Sequence, residues 1–217
     1  MTGALYTRAQ AQGQEALRAA LLDLAAQLLA AEGPAALTMR RIAAAAGCST
    51  TVLYRHFGAK DGIAEALYRE GFTRLRHRLE SVAPSVDPPA YLAALGRAYR
   101  ENALAERNLY QVMFAGLIPG FTPTEESRSL AAASLDVLRE AVRSCAAAGV
   151  FRPDVDADEV TDTIWAAAHG SISLELTGHF PEGVAEHRYR TLTGAVVAAY
   201  LSAGPPAGDA AADGPAG

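Results

Sequence analysis

Cysteine is almost missing from this 217-residue chain, and the two that occur, Cys48 and Cys145, show neither the paired spacing of a zinc site nor a disulfide framework. They read as packed or idle thiols. Five histidines, His56, His77, His169, His179 and His187, include no pair four residues apart and no cluster with cysteine, so neither a metal nor a cofactor is expected. A Gly-x-Ser-x-Gly elbow and a glycine-rich phosphate loop are also lacking, which argues against nucleophilic catalysis and nucleotide handling and for a protein that is not an enzyme. No apolar run approaches the roughly 18 residues needed to cross a membrane, and the first residues form no export signal. The expectation is a cytoplasmic protein with no membrane partner. Strand-like alternation is nearly absent.

What remains is half apolar residues and much alanine interleaved with Leu, Arg and Glu, a mixture that favours helix because alanine loses no side-chain entropy on entering one. The net charge of −5 argues against nucleic acid only while it is treated as uniform. Residues 1–80 hold ten Lys/Arg against seven Asp/Glu, and the rest of the chain holds nine against seventeen. Between Gly33 and Lys60 the only charged residues are Arg40, Arg41, Arg55 and Lys60. A basic patch of this kind marks a nucleic-acid-binding end joined to a part with another task.

Residues 1–13 show no periodicity and residues 203–217 are Gly/Pro/Ala-rich, so both are expected to be disordered tails. Leu17, Leu21, Leu24 and Leu28 share one face of a first helix that stops at Gly33-Pro34. Thr38 suits the N-cap of a short helix carrying Ile42 and Ala43 and ended by Gly47. Ser49 suits the cap of a second, with Val52, Leu53 and Phe57, and a long fourth helix follows from Lys60 with Ile63, Leu67, Leu75 and Leu79. The prolines of 84–89 are the strongest break, which places one domain at 14–82 and a second at 88–202. The second is expected to hold helices near 89–105, 107–117, 124–148, 157–178 and 183–202. The chain is thus all-α, about nine helices in total.

Two short helices joined at Gly47 and packed on a longer one form a helix-turn-helix, a homeodomain-like head. With Leu53 and Phe57 inward, the second short helix turns Thr50, Thr51, Tyr54 and Arg55 outward as hydroxyls and a guanidinium, while Tyr54, His56 and Lys60 flank it within reach of phosphates. The run from Leu22 to Leu79 resembles the DNA-binding domain of the tetracycline-repressor (TetR) family. The resemblance rests on Leu37-Thr38-Met39-Arg40-Arg41-Ile42-Ala43, Ala46-Gly47-Cys48-Ser49 and Leu53-Tyr54-Arg55-His56-Phe57 followed by Lys60. It implies that Thr38, Tyr54, His56 and Lys60 hold phosphates and that Arg40, Thr50 and Thr51, with Ser49 and Arg55 beside them, reach bases. Cys48 stands where the family has a small or apolar residue, which implies packing.

So few base contacts, each worth about 1–3 kcal/mol, do not select a genomic site, so a homodimer on a palindromic double-stranded operator is expected. The resemblance implies a four-helix dimer bundle from the last two helices. Ile164, Ile172 and Leu176 on one helix and Leu192, Val196 and Tyr200 on the other suit it, or suit an ordinary internal core equally well. Tyr99, Tyr110, Met113, Phe114, Leu138, Trp165 and His169 are the candidate contacts for a small apolar or aromatic effector held between helices. Trp165, His169 and Gly170, with the loop 149–154 before them, resemble the Trp-His-Gly C-terminal subgroup of the family. These expectations add up to a ligand-responsive regulator, a repressor by the family's usual logic, in which the effector swings the fourth helix near Phe72 and Leu75 and changes the spacing of the two recognition helices. A C-terminal domain that only dimerises is the first rival reading, and a small helical enzyme with a coincidental helical hairpin is the second.

Overall fold

A computed structural model describes residues 2–114, 116 and 118–202. Ten α-helices occur among them: α1 (Thr2–Glu32), α2 (Met39–Ala46), α3 (Thr50–Phe57), α4 (Lys60–Glu80), α5 (Pro88–Ala105), α6 (Arg107–Phe114), α7 (Glu125–Ala133), α8 (Asp136–Ala147), α9 (Ala157–Leu176) and α10 (Ala185–Tyr200). A single turn of 3-10 helix, Pro34–Ala36, separates α1 from α2. The all-α class is as expected. Among the described residues no helix is long and apolar enough to cross a membrane.

Three boundaries differ from the sequence expectation. Residues 2–13 are not a disordered tail but the first turns of α1. Ala, Leu, Gln and Arg are good helix formers, and because residues 4–17 are exposed, no apolar stripe is needed there to advertise the helix. Leu17 is accordingly exposed, whereas Leu21 and Leu28 are buried. The helix expected over 124–148 is broken into α7 and α8 at Ser134. The Ser134 hydroxyl is buried and donates to the Ala131 carbonyl at 2.7 Å, while the Ser134 and Leu135 amides reach back to Ala131 and Ala132, tightening the turn. Finally, α6 ends at Phe114 rather than 117. The expected tail at 203–217 lies outside the described residues.

Among the described residues the chain divides into two compact units, one drawn from 2–83 with 95–137, the other from 84–94 with 138–202. One unit boundary falls at the proline-rich break, between Ala83 and Pro84, and the first unit resumes at Leu95 to take in α6 and α7. The physical reason is the core of the first unit: Leu22, Leu37, Ile42, Leu53, Ile63 and Leu67 of the helix-turn-helix head share one apolar cluster with Leu109 and Val112 of α6. Gly71 permits that sharing, since a Cβ on it would stand 2.5 Å from the Met113 Sδ. Met113 thus lies directly over α4 and is spent on packing. Arg74 of α4 adds a polar knot, with Asp23 of α1 at 2.8 Å, Glu70 at 2.8 Å and Glu106, just before α6, at 3.0 Å. Burial works against its charge, but hydrogen bonds to Glu70 and Asp23 and the nearby Glu106 charge outweigh it and raise the pKa of Arg74 above the ordinary arginine value.

In the second unit α9 and α10 pack side by side. Ile164 and Ile172 are buried within it, so the sequence's two readings of these residues separate here: they already serve an internal core. Leu192 is 43% exposed and Leu174 44%, and with Ala166, Gly170, Phe180 and Arg188 they border a groove of about 550 Å³. The end of α10 is pinned to the loop after α8 by the Phe151–Leu201 bridge and by Ser202 N donating to the Val150 carbonyl at 3.0 Å.

Candidate nucleic-acid interface

Thr38 caps α2 with extended backbone, and its Oγ1 accepts from the Arg41 amide at 3.1 Å. The α2 C-terminus closes at Gly47, whose φ of 65° needs a residue without Cβ strain. The Cys48 amide donates to the Ala43 carbonyl at 3.0 Å across that turn, and the Cys48 side chain packs partly buried on the head core, as expected of a packing residue. Ser49 occupies the N-cap of α3 but makes no side-chain cap bond.

On α3 the inward residues are Leu53, with no exposed surface, and Phe57, 8% exposed. Thr51, Tyr54 and Arg55 face outward, Tyr54 54% exposed, while Thr50 and His56 are half-buried at the margins. Thr38, Arg40, Ser49 and Lys60 are exposed around them. The structure therefore brings all nine residues singled out from the sequence onto α2, α3 and their flanks. It also shows what the sequence reading missed. Arg41 is bound to the Glu32 carboxylate of α1, through Nε at 2.9 Å and through a second guanidinium nitrogen, so of the two adjacent arginines only Arg40 extends unpaired by Glu32. The Arg41 hydrogen bond holds the Glu32 carboxyl below the usual range even though burial pushes the other way. Arg18 of α1 lays its guanidinium over the Phe57 ring, 5.6 Å from the centroid, and so stands beside the C-terminal end of α3. No short-range pattern signals either contact, because both join positions far apart in sequence.

The joint between α3 and α4 is close-packed. Gly58 turns the chain with a φ of 70°, and the Ala59 amide donates to the Phe57 carbonyl at 2.8 Å. Gly62 lies so near that a Cβ there would be 1.9 Å from the same carbonyl oxygen.

The candidate effector residues are divided between the two units. Tyr99, Tyr110, Met113 and Phe114 belong to the first, where Tyr99 and Tyr110 are 6.4 Å apart, Tyr110 and Phe114 4.9 Å, and Phe114 meets Phe72 of α4 edge-on at 5.5 Å. Leu138, Trp165 and His169 belong to the second. There the Trp165 and His169 rings are 5.8 Å apart, the His169 Nε2 is 3.4 Å from the Ser173 hydroxyl, and burial lowers the imidazole pKa, favouring its neutral form.

Comparison with known proteins accords with this geometry. Residues 21–67 match the family described as bacterial regulatory proteins, tetR family, and residues 92–200 match the tetracyclin repressor-like C-terminal domain. The chain is 32% identical over 178 residues to the HTH-type transcriptional repressor KstR2 of Mycolicibacterium smegmatis, a match covering 73% of this chain and 83% of that one. Its fold is like that of the TetR family transcriptional regulator PfmR from Thermus thermophilus, at a TM-score of 0.68, 24% identity and coverage of 82% of this chain and 97% of that one. It is also like the ketosteroid transcriptional regulator KstR2 of Mycobacterium tuberculosis, at a TM-score of 0.63, 23% identity and coverage of 86% and 95%. A head of this shape with outward hydroxyls on α3, matched to family patterns on both its N-terminal and C-terminal helices, makes the chain a DNA-binding regulator that belongs to the TetR family.

Proposed function

We propose that this regulator is a ligand-responsive repressor that grips a palindromic operator as a homodimer and lets go when a small apolar molecule occupies its C-terminal helices. The observation that carries the reading is the division of α3 into an anchored and an offered face. Leu53 and Phe57 are sunk in the core, and Thr51, Tyr54 and Arg55 are held out on a helix short enough to enter a major groove. Arg40, Ser49 and Thr50 join the base-reading set, and Thr38, Tyr54, His56 and Lys60 hold phosphates at its edges.

Dimerisation follows from arithmetic and from the second unit. One α3 supplies too few base contacts for a genomic site, whereas a two-fold pair reads two half-sites about one helical turn apart. The small residues Ala166 and Gly170, flanked by the exposed Leu174 and Leu192, form the face offered to the second copy. A Cβ on Gly170 would meet nothing within 4 Å in its own protomer, which suits a helix arriving from outside. For the effector, the aromatic cluster of Tyr99, Tyr110 and Phe114 in the first unit is one candidate lining and the Trp165–His169 pair in the second is another. The relative described as a ketosteroid transcriptional regulator makes a flat polycyclic molecule a sensible first member of any ligand panel.

The deciding experiment is a salt titration on DNA fragments selected from the genome. The parent protein is expected to lose affinity steeply as salt rises, because phosphate contacts release counterions. Tyr54→Ala with Lys60→Ala should weaken binding at least about 10-fold and flatten the salt slope. Equal binding by parent and variant, or none by the parent at low salt, would reject the reading. Ligand sensing has its own readout in Trp165, the only tryptophan of the chain. Its emission should shift with members of an apolar panel, and those same members should release DNA; a panel that leaves both unchanged favours a C-terminal domain that only dimerises.

A further inference from the structure

The first turn of α7 is held on α4 by polar contacts centred on one carboxylate. Glu65, about one and a half turns beyond Lys60 at the start of α4, accepts from the Thr124 hydroxyl at 2.5 Å and from the Thr124 amide at 3.3 Å. The same carboxylate oxygen also accepts from the Ser127 hydroxyl. Thr124 is the N-cap of α7, and its oxygen receives the Ser127 amide at a long 3.3 Å, so Glu65 provides much of the polar satisfaction that the helix start needs. Arg69, one turn further along α4, adds an ion pair to Glu126 at 2.8 Å. Although burial opposes it, the Ser127 and Thr124 hydrogen bonds keep the Glu65 carboxyl below the usual carboxylate range, so the clasp is fully charged at neutral pH.

The nature of this attachment sets it apart from the rest of α4. Within α7 the buried residue is Ser127 itself, with no exposed surface, while Glu125, Glu126, Arg128 and Ser129 are exposed. On its other faces α4 is fixed by apolar packing, Ile63 and Leu67 in the core shared with Leu109 and Val112, Tyr68 against Phe121 at 6.0 Å and Gly71 under Met113, and by the Arg74 knot. Apolar contacts release slowly and only with large area lost, whereas a carboxylate and two hydroxyls exchange partners with water at small net cost once the helix moves. The loop and first turn also hold themselves together, Arg128 binding both the Pro123 carbonyl and Glu125, so that they move as one body.

We propose that Glu65 is a releasable clasp: α7 seated on it holds α4, and through Lys60 the recognition helix, in the DNA-reading position, and displacement of α7 frees the head. The inference rests on α3 being the DNA-reading helix.

The test uses the full-length protein and a genomic fragment that the parent binds. Thr124→Val with Ser127→Ala removes both hydroxyl donors, Glu65→Gln removes the charge, and Thr124→Ser keeps every donor as a control. In the first two, α7 amides should exchange about 10-fold faster and affinity for the selected fragment should fall about 10-fold. Affinity for unrelated DNA at low salt should hold, because the phosphate contacts are untouched. Combining the two sets should cost little more than either alone, since both break one clasp. Thr124→Ser should behave as the parent. Faster exchange in α7 with unchanged operator affinity makes the contact merely structural and overturns the proposal; so do unchanged exchange, additive losses, or an equal loss on unrelated DNA. Failure of the parent itself to bind any fragment would instead reject the DNA reading of α3.

Discussion

Alanine at Gly62 is expected to abolish tight operator binding while leaving the second compact unit folded. The cause is space rather than backbone conformation, for Gly62 is not among the glycines with positive φ. A Cβ there would stand 1.9 Å from the Phe57 carbonyl oxygen and 3.1 Å from its carbon, both backbone atoms that no rotamer change relieves. Phe57 is the last residue of α3, and its carbonyl already accepts the Ala59 amide that closes the turn into α4. Relief therefore means moving the end of the recognition helix relative to α4 by more than about 1 Å, roughly the shortfall against an ordinary carbon–oxygen contact. Overpacking of this kind costs about 1–3 kcal/mol in stability. On the proposed reading, the displaced α3 should lose two or more base contacts, an affinity loss of at least about 100-fold. Thermal unfolding and DNA titration measure the two losses separately. Gly71→Ala is the matched control: there the Cβ would meet the Met113 thioether at 2.5 Å, a flexible neighbour that swings aside, so its effect on DNA binding should be far smaller. Parent-like binding by Gly62→Ala would show that the α3–α4 joint does not set the position of the reading helix.

The second large effect is expected at Arg74. Its guanidinium, 23% exposed, gathers Asp23, Glu70 and Glu106 from three parts of the first unit. Arg74→Met keeps most of the side-chain volume but leaves three carboxylates facing one another in a partly desolvated corner. Breaking a fully buried pair costs about 3–5 kcal/mol, and solvent reaching the carboxylates reduces that to about 2 kcal/mol. The dependence on pH has a definite sign. In the parent, the raised Arg74 pKa keeps the guanidinium charged throughout the pH range in which proteins are handled. In the variant, protonation of the carboxylates relieves their mutual repulsion, so the deficit should shrink in acid. Urea unfolding at neutral and mildly acidic pH checks this. A deficit that is constant with pH would mean that Arg74 acts through packing alone.

The head was legible in the sequence because its signals are local. Thr38 at a cap, Gly47 at a left-handed turn and the four-residue spacing of Leu53 and Phe57 each depend on neighbours within one or two turns, and the structure bears all three out. The nine candidate DNA residues fell on one set of elements for the same reason. The helix 2–13 was missed because an exposed helix carries no apolar periodicity. The break at Ser134 was missed because a buried serine turned back on its own carbonyls has the composition of any Ala-rich run. What has no local signature at all is contact across the chain: Arg41 with Glu32, Arg18 over Phe57, Glu65 with Thr124 and Ser127. The same limit applies to the return of α6: prolines at 84–89 mark where the backbone stops being helical, but they carry no information on whether α6 packs back onto α4, which the core shared by Ile63 and Leu67 with Leu109 and Val112 decides.

The pairing of Arg41 with Glu32 bears on how firmly the protein holds DNA of any sequence. Counting residues from Gly33 to Lys60 credits each head with four cations, yet Glu32 neutralises one of them before DNA arrives. Glu32 is thus a governor on indiscriminate adhesion. It leaves the head with a lower positive potential than its composition suggests, and in the proposed reading shifts the choice between one chromosomal site and all the others from bulk charge toward the outward hydroxyls of α3.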